Sequence, residues 1–327
     1  MELKQVVLRQ LLARDGYQSG EALAAEAGVS RNAVWKAICR LRKEGYLIES
    51  SSRLGYRLSS ENDCLSAETV SKVLKGVARK CEITVFDTVD STNTLLKQAA
   101  EEGAPEGTVF AAIQQTGGRG RLGRRFYSPP RTGLYFSLLL RPDQSATDAL
   151  TLTALAAVAA ARGIEVVTGC RVGIKWVNDL YWKDRKICGI LTEGSVDLER
   201  SGLQWAVLGM GINLTSPEGG FPSDCAQKAG AVEETPVPGR RAALLGAVLN
   251  AFFEEYPRRE EKRFLREYRN RSILIGRRVV PSDGSFPNGA TAVGIDDGGG
   301  LILRGDDGEE KVLTSGEISI FWKGTFS

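Results

Sequence analysis

The chain of 327 residues contains no histidine. That removes Ser-His-Asp and Cys-His nucleophilic mechanisms, together with the commonest metal ligand. Its six cysteines, Cys39, Cys64, Cys81, Cys170, Cys188 and Cys225, are far apart and form no C-x-x-C pair. They read as small buried hydrophobes and free thiols rather than as a disulfide or zinc framework. No run of eighteen or more apolar residues occurs, and Met1-Glu2-Leu3-Lys4-Gln5 has no apolar signal core behind its basic residue. The expectation is a cytoplasmic chain without membrane partners. A Gly-Lys-Ser/Thr phosphate loop is also missing, so the chemistry is left to Arg, Lys, Asp and backbone groups.

What is present is concentrated in one loop. Gly118-Arg119-Gly120-Arg121-Leu122-Gly123-Arg124-Arg125-Phe126-Tyr127-Ser128-Pro129-Pro130 places three glycines among four arginines. Glycine lets backbone approach a ligand closely, and the guanidinium fork matches phosphate and carboxylate oxygens. Gly118, Gly120 and Gly123 also satisfy G-x-G-x-x-G after the strand-like Thr108 to Ile113. A dinucleotide fold needs a helix opening at the last glycine, however, and Ser128-Pro129-Pro130 follows instead. An anion-wrapping loop and a solvated basic surface both fit these residues taken alone.

The net charge of +3 hides an asymmetry. Residues 1 to 60 carry ten Lys and Arg against six acids, which points to a nucleic-acid partner for that segment. Leu3, Val7, Leu8, Leu11 and Leu12 follow helical spacing, Gly20 to Ala27 predicts a second helix, and Gly28-Val29 a tight turn. Ser30 caps a third helix that buries Val34, Ile38 and Leu41 and ends at Gly45, while Arg31, Asn32, Trp35, Lys36 and Arg40 face outward. Two short helices about a glycine turn predict a helix-turn-helix, with Arg31, Asn32 and Lys36 as base readers and Arg40 beside them. The segment Tyr46 to Leu58 reads as a hairpin wing offering Arg53 and Arg57 to phosphates. A small helical interaction module with a charged face is the plainer alternative. Ser59 to Ser66 is polar and reads as a linker.

At this length two or three domains are expected. Ile83 to Phe86 predicts a strand leading into Asp90-Ser91-Thr92-Asn93, whose hydroxyls can cap a helix ending near Gly103. Further strands are expected at Leu134 to Leu140, Val172 to Trp176, Ile187 to Leu191 and Trp205 to Leu208, with a helix from Asp148 to Arg162 closed by Gly163 and a hairpin at Trp182 to Arg185. This pattern predicts a mixed α+β sheet with helices on one face. Arg240 to Arg271 is one long amphipathic stretch, and after Ser272 short apolar runs alternate with Gly/Asp turns such as Asp296-Asp297-Gly298, as in a small β-barrel.

Several strings then occur in order: Asp90-Ser91-Thr92-Asn93, the arginine-glycine loop with Gln115 before it, Lys175-Trp176-Val177-Asn178-Asp179-Leu180, Asp184-Arg185-Lys186-Ile187-Cys188-Gly189-Ile190-Leu191, Gly211-Ile212-Asn213 and Gly316-Glu317-Ile318-Ser319. Together they resemble the biotin protein ligases, and with the basic segment in front the whole chain resembles the bifunctional biotin ligases that also repress the biotin operon. Two positions depart from the family's pattern: Val177 stands where proline is usual, and Phe126 where tryptophan is frequent. The resemblance implies an α+β multidomain chain: a winged helix-turn-helix over 1–62, a mixed α+β catalytic domain over 66–272 and an SH3-like barrel over 273–327.

It also implies two-step chemistry with ATP, magnesium and biotin. Biotin's carboxylate attacks the α-phosphate to give biotinyl-AMP, and a lysine of the biotin carboxyl carrier protein of acetyl-CoA carboxylase then takes the biotinyl group. By the resemblance, Ser91, Thr92, Asn93, Gln115, Arg119, Gly120, Arg121, Lys186 and Gly189 would bind biotin. Gly118, Arg124, Asn178, Asn213 and Glu317 would serve ATP, and Lys186, Arg119, Arg121 and Asp179 the reaction, with no metal ligands assigned to side chains. Two anions must meet, which calls for fixed positive charge. Asp179 fits either an acceptor for the incoming amine or a structural turn carboxylate. Leu214 to Glu234, rich in Gly, Pro and small polar residues, is expected to be mobile without ligand and to order over the adenylate. The adenylate would act as corepressor by favouring a homodimer on operator DNA. A biotin sensor without catalysis and a lipoate ligase remain the competing readings, the first opposed by Arg119, Arg121 and Lys186, the second by the arginine-glycine loop.

Overall fold

The spacing of the first apolar residues produces three helices. The computed structural model describes residues 2–14, 16–43, 46–59, 63–142, 149–197 and 202–320. Leu3–Ala13 forms α1, Gly20–Ala27 α2 and Arg31–Lys43 α3, and Val7, Leu8, Leu11, Leu23, Val34, Ile38 and Leu41 meet in one core. Ser19 caps α2 by accepting the Ala22 N–H at 3.0 Å, and Ser30 accepts the Ala33 N–H at 3.2 Å to start α3. Gly28 closes α2 at φ 66°, a region that strains any side chain. The expected end of α3 at Gly45 lies outside the described residues, as do 60–62 of the expected linker. β1 (Ile48–Ser51) and β2 (Gly55–Leu58) pair antiparallel as the wing, and α4 (Ala67–Ser71) follows behind a Ser66 capping box.

Two compact units divide the chain: Met1–Val73 with Thr235–Ala243, and Leu74–Glu234 with Leu244–Ser327. Within the first, the buried Arg241 joins the two segments by donating from Nε to Asp63 Oδ2 at 2.8 Å.

The second unit is built on seven strands, β3 (Glu82–Val89), β4 (Thr108–Gln115), β5 (Gly133–Leu140), β6 (Gly173–Lys175), β7 (Asp179–Trp182), β8 (Arg185–Asp197) and β9 (Gly202–Asn213), ordered β3-β4-β5-β9-β8-β7-β6. β3 and β4 are parallel across α5 (Thr92–Glu101), and the remaining neighbours are antiparallel. The helices do not share one face of this sheet. Lys97 and Asn93 of α5 reach Glu193 of β8, whereas Thr153 of α6 (Ala149–Thr168) lies 2.6 Å from the hydroxyl of Thr192. Successive strand residues point to opposite faces, so α5 and α6 cover opposite sides.

Gly163 does not close α6, which continues to Thr168. It sits instead where the helix meets α7 (Arg240–Glu255), and a Cβ there would lie 2.6 Å from Val248 Cγ2. Among the described residues α6 is the helix long and apolar enough to cross a membrane, yet 72% of its most apolar window is buried inside the unit. The amphipathic stretch after Arg240 is broken in two: a 3-10 segment at Tyr256–Glu261 and Lys262 at φ 53° separate α7 from α8 (Phe264–Arg271).

β10 (Arg278–Pro281), β11 (Ala290–Ile295), β12 (Leu301–Arg304), β13 (Glu310–Leu313) and β14 (Ile318–Ile320) form an antiparallel half-barrel in the order β13-β12-β11-β10-β14. Its core is Val279, Ala290, Ala292, Leu301, Leu303 and Leu313. Ile273, expected at the start of this barrel, donates its N–H to Ile174 O of β6 instead.

Two effects of a side chain at Gly163 oppose each other. Gly163→Ala would stabilise a helix interior by about 1 kcal/mol, but contact with Val248 predicts a net loss of about 1–3 kcal/mol. Thermal unfolding checks this, and a raised transition temperature contradicts the packing role.

Candidate functional site

One register row crosses the sheet. Ala112 pairs with Tyr135, Tyr135 with Gly211, Gly211 with Gly189, Gly189 with Asp179 and Asp179 with Lys175. Paired residues share a face, so the two central glycines leave a bare trough between side-chain walls. Phe126 covers it: a Cβ on Gly211 would lie 2.4 Å from its ring, and one on Gly189 3.3 Å. From β4 to β8 the trough spans three strand spacings, roughly 14 Å.

One end is neutral and hydrogen-bonding. Gln115 Oε1 accepts the Thr92 N–H at 2.9 Å and lies 3.1 Å from Thr92 Oγ1, while Gln115 Nε2 donates to Ser128 Oγ at 3.0 Å. Ser91 precedes α5, but its hydroxyl makes no cap bond to the helix. Asn93, expected among the ligand contacts, points inward. Its Nδ2 donates to Glu193 Oε2 at 2.8 Å and its Oδ1 accepts from Ser137 Oγ at 2.6 Å, so it stands behind the wall.

The other end is charged. Lys186 Nζ lies 2.6 Å from Asp179 Oδ1, and Asp179 is also the register partner of Lys175. Burial lowers the pKa of Lys175, with Lys186 and Lys228 adding to the effect and Asp179 opposing it. Burial and then Asp179 push Tyr181 up to about 12. The turn carrying Asn178 is pinned from both sides, Trp176 Nε1 donating to Gly299 O at 2.9 Å and Tyr268 OH to Val177 O at 2.8 Å. The Trp176–Val177 peptide is cis.

The arginine-glycine loop arches from the neutral end toward the half-barrel. Gly118 is required there, because a Cβ would lie 2.4 Å from Phe126 O. No helix follows the loop: Arg121–Gly123 is a single 3-10 turn with Leu122 at φ 54°. Arg121 donates to Asn178 Oδ1 at 3.4 Å and to Gly316 O at 3.2 Å, and Arg124 pairs with Glu317 at 2.6 Å. Arg119 is exposed and Gly120 N donates to Arg124 O at 2.7 Å.

Leu214 to Glu234, expected to be a loose lid, is folded down along the edge of β8. Lys186 N donates to Lys228 O at 2.7 Å and Gly230 N to Lys186 O at 2.9 Å. Asn213, expected beside ATP, is buried and donates from Nδ2 to Gly230 O at 3.0 Å, which makes it an anchor for this segment.

In the first unit, Arg31, Asn32, Lys36 and Arg40 are all exposed on α3, and Arg53 is exposed at the tip of the wing. Arg57 differs: Glu49 holds it at 2.6 Å and its guanidinium sits 4.9 Å from the centre of the Tyr17 ring. The sequence reading placed Trp35 outward without a role, and it is 52% exposed among these basic residues. Lys175, beside Asp179 at the charged end, and Lys97, Ser137 and Glu193, behind the neutral end, were not among the expected residues. Lys175 had a signal, its place in the Lys-Trp-Val-Asn-Asp string, whereas the others are joined only by the fold.

Residues 85–213 match the biotin/lipoate A/B protein ligase family, 4–57 an HTH domain and 275–320 the biotin protein ligase C-terminal domain. The chain is 34% identical to the bifunctional ligase/repressor BirA of Bacillus subtilis over 91% of its length and 92% of the relative's. It is 31% identical to that of Escherichia coli over 95% of each. The structure of the biotin protein ligase from Aquifex aeolicus in complex with biotin and ATP superposes with a TM-score of 0.61 at 27% identity, covering 73% of this chain and 98% of that one.

Burial opposes ionisation of Glu193, but Lys97 and Asn93 outweigh it and hold the carboxyl below its usual range. That stability is present above the unfolded-state pKa and is lost as pH falls through the lower folded value. Glu193→Gln is therefore expected to cost about 1–3 kcal/mol at pH 7. The difference should shrink below about pH 4, and thermal melts of both proteins across pH check it.

Proposed function

The chain belongs to the family of bifunctional ligase/repressor proteins of the BirA type, and we propose that it is an ATP-dependent biotin protein ligase whose first unit represses transcription from operator DNA. The observation that carries this reading is the polarity of the trough: a neutral hydrogen-bonding end at Thr92 and Gln115, a bare glycine floor, and a cationic end at Lys186. Biotin has the same order of parts, a ureido head, an apolar body and a carboxylate. Lipoate lacks a hydrogen-bonding head, so Thr92 and Gln115 would go unpaired against it.

Biotin lies with its head at Ser91, Thr92 and Gln115 and its carboxylate at Lys186, Arg119 and Arg121. ATP lies toward Gly118, Arg124, Asn178 and Glu317. Both carboxylates nearby are already engaged, Asp179 with Lys186 and Glu317 with Arg124, so magnesium would be brought with ATP rather than held by them, and the chemistry it would supply is screening of the phosphate charge.

In the first step a carboxylate oxygen bonds to the α-phosphorus while the α–β phosphoanhydride bond breaks, releasing pyrophosphate. Lys186, Arg119 and Arg121 offset the charge that accumulates between the two anions. When a ligand anion takes Lys186, Asp179 loses its partner and becomes free to accept a hydrogen bond from the incoming lysine amine. That amine attacks the acyl carbon, and AMP leaves with the bonding pair.

The carrier domain of acetyl-CoA carboxylase is the acceptor, and biotinyl-AMP is the corepressor that favours a homodimer on DNA. We assign 1–62 to DNA binding, 66–272 to ligation and 273–327 to support of the nucleotide through Glu317. The protein works in the cytoplasm, where ATP, carrier and DNA meet.

Mass spectrometry after incubation with biotin, magnesium and ATP, with and without an acceptor domain and with lipoate in parallel, is expected to detect biotinyl-AMP and then a biotinylated acceptor. Lys186→Ala should lower adenylate formation about 10²–10³-fold, the usual effect of removing one donor to developing charge. Undiminished adenylation would refute its role. For the first unit, Arg53→Ala should weaken duplex DNA binding irrespective of sequence and reduce the slope of log K against log salt by about 1. An unchanged slope in titrations at several salt concentrations would remove Arg53 from the interface.

A further inference from the structure

Behind the neutral end of the trough lies an ion pair that the reaction does not use. Lys97 Nζ of α5 is 2.5 Å from Glu193 Oε1, while Glu193 Oε2 accepts from Asn93 Nδ2 at 2.8 Å. Asn93 Oδ1 then meets Ser137 Oγ at 2.6 Å, Ser137 Oγ meets Thr92 Oγ1 at 2.7 Å, and Thr92 binds Gln115, which binds Ser128. Asn93, Ser137 and Thr92 are each less than a tenth exposed. A Cβ on Gly209, the strand partner of Ser137, would lie 2.0 Å from Asn93 Oδ1, so this glycine makes room for the chain.

The direction of such a chain is set by its only member that cannot donate. An ionised carboxylate accepts hydrogen bonds and never gives one. Glu193 therefore turns the NH₂ of Asn93 toward itself and the Asn93 oxygen toward Ser137. The Ser137 proton goes to that oxygen, which leaves a Ser137 lone pair facing Thr92. Thr92 spends its proton inward, on Ser137 or on Gln115 Oε1, and so offers lone pairs to the trough. Gln115 Oε1 is fixed by the Thr92 N–H, so its NH₂ faces outward with one proton on Ser128 and one to spare.

We infer that Glu193, paired with Lys97, is a positioning residue that fixes the direction of this buried chain and so presents Thr92 as an acceptor to the ureido head of biotin, beside the Gln115 donor that the Thr92 N–H orients. A ureido group needs that pairing, since it carries N–H donors and a carbonyl acceptor. The inference rests on reading the trough as the biotin site. Arg119 is the other charged group that acts on Glu193, and it shares the sign of Lys97, so both neighbours favour the carboxylate.

With Gln at 193, Lys97 holds the new amide oxygen and the NH₂ is left facing Asn93, so the direction of the chain is reversed while its shape is kept. Ser137→Ala cuts the chain but leaves the ion pair intact, which separates direction from stability. The test measures biotinyl-AMP formation at saturating ATP together with the Kd of biotin amide, which has the same head and no charged tail. Glu193→Gln and Ser137→Ala are each expected to raise the KM for biotin about fivefold to tenfold, with kcat nearly unchanged and biotin amide weakened by the same factor. Lys97→Arg should keep KM near the wild-type value while Lys97→Met should not. If folded Glu193→Gln and Ser137→Ala bind biotin amide as the wild type does, or lose kcat alone, the positioning role is wrong. A wild-type chain that makes no biotinyl-AMP overturns both this inference and the reading beneath it.

Discussion

Two anions repel, and a site that joins a carboxylate to a phosphate must hold cations where both can reach them. On the proposed reading the second unit does this, and three of its cations are not left bare. Lys186 rests on Asp179, Arg124 on Glu317, and Arg121 on the Asn178 amide and the Gly316 carbonyl. Exchanging one anionic partner for another costs less than desolvating an unpaired charge. The site can therefore be assembled in advance and still yield its cations to ligand oxygens, the preorganisation on which electrostatic catalysis depends.

The rest of the second unit serves that requirement. Glycines on adjacent central strands bring the bare backbone of Gly189 and Gly211 side by side, so a ligand can lie across the sheet between a neutral wall and a charged one. The half-barrel contributes by reaching back: Gly299 fixes Trp176, Gly316 and Glu317 hold the arginine loop, and Ile295 accepts from Arg269 of α8 at 2.7 Å. The segment 214–234 lies against Lys186 through backbone bonds, which links its position to the cation it borders.

Much of this was legible in the sequence wherever the information is local. Helix periodicity, the Ser30 cap and the Gly28 turn defined the three N-terminal helices, and the ordered strings located the trough residues before any sheet was drawn. What could not be read was whatever depends on distant pairing. Gly163 looks like a helix stop until Val248 arrives from 85 positions later in the chain. α5 and α6 appear equivalent until the register shows that Glu193 and Thr192 face opposite ways. Asn93 and Asn213 were read as ligand contacts from the strings they stand in, but their amides are spent on Glu193 and Gly230. Arg57 was read as free because Glu49 and Tyr17 come to it only through the folded wing.

In the proposed function one trough holds biotin head-first toward Thr92 and Gln115 with its carboxylate at Lys186. A crystal structure of the chain with biotin and a non-hydrolysable ATP analogue tests it most directly. The ureido group is expected on Thr92 and Gln115, the carboxylate beside Lys186 with Asp179 released, and the Phe126 ring lifted from Gly211. Biotin in the reverse orientation, or bound with Lys186 still paired to Asp179, would contradict it.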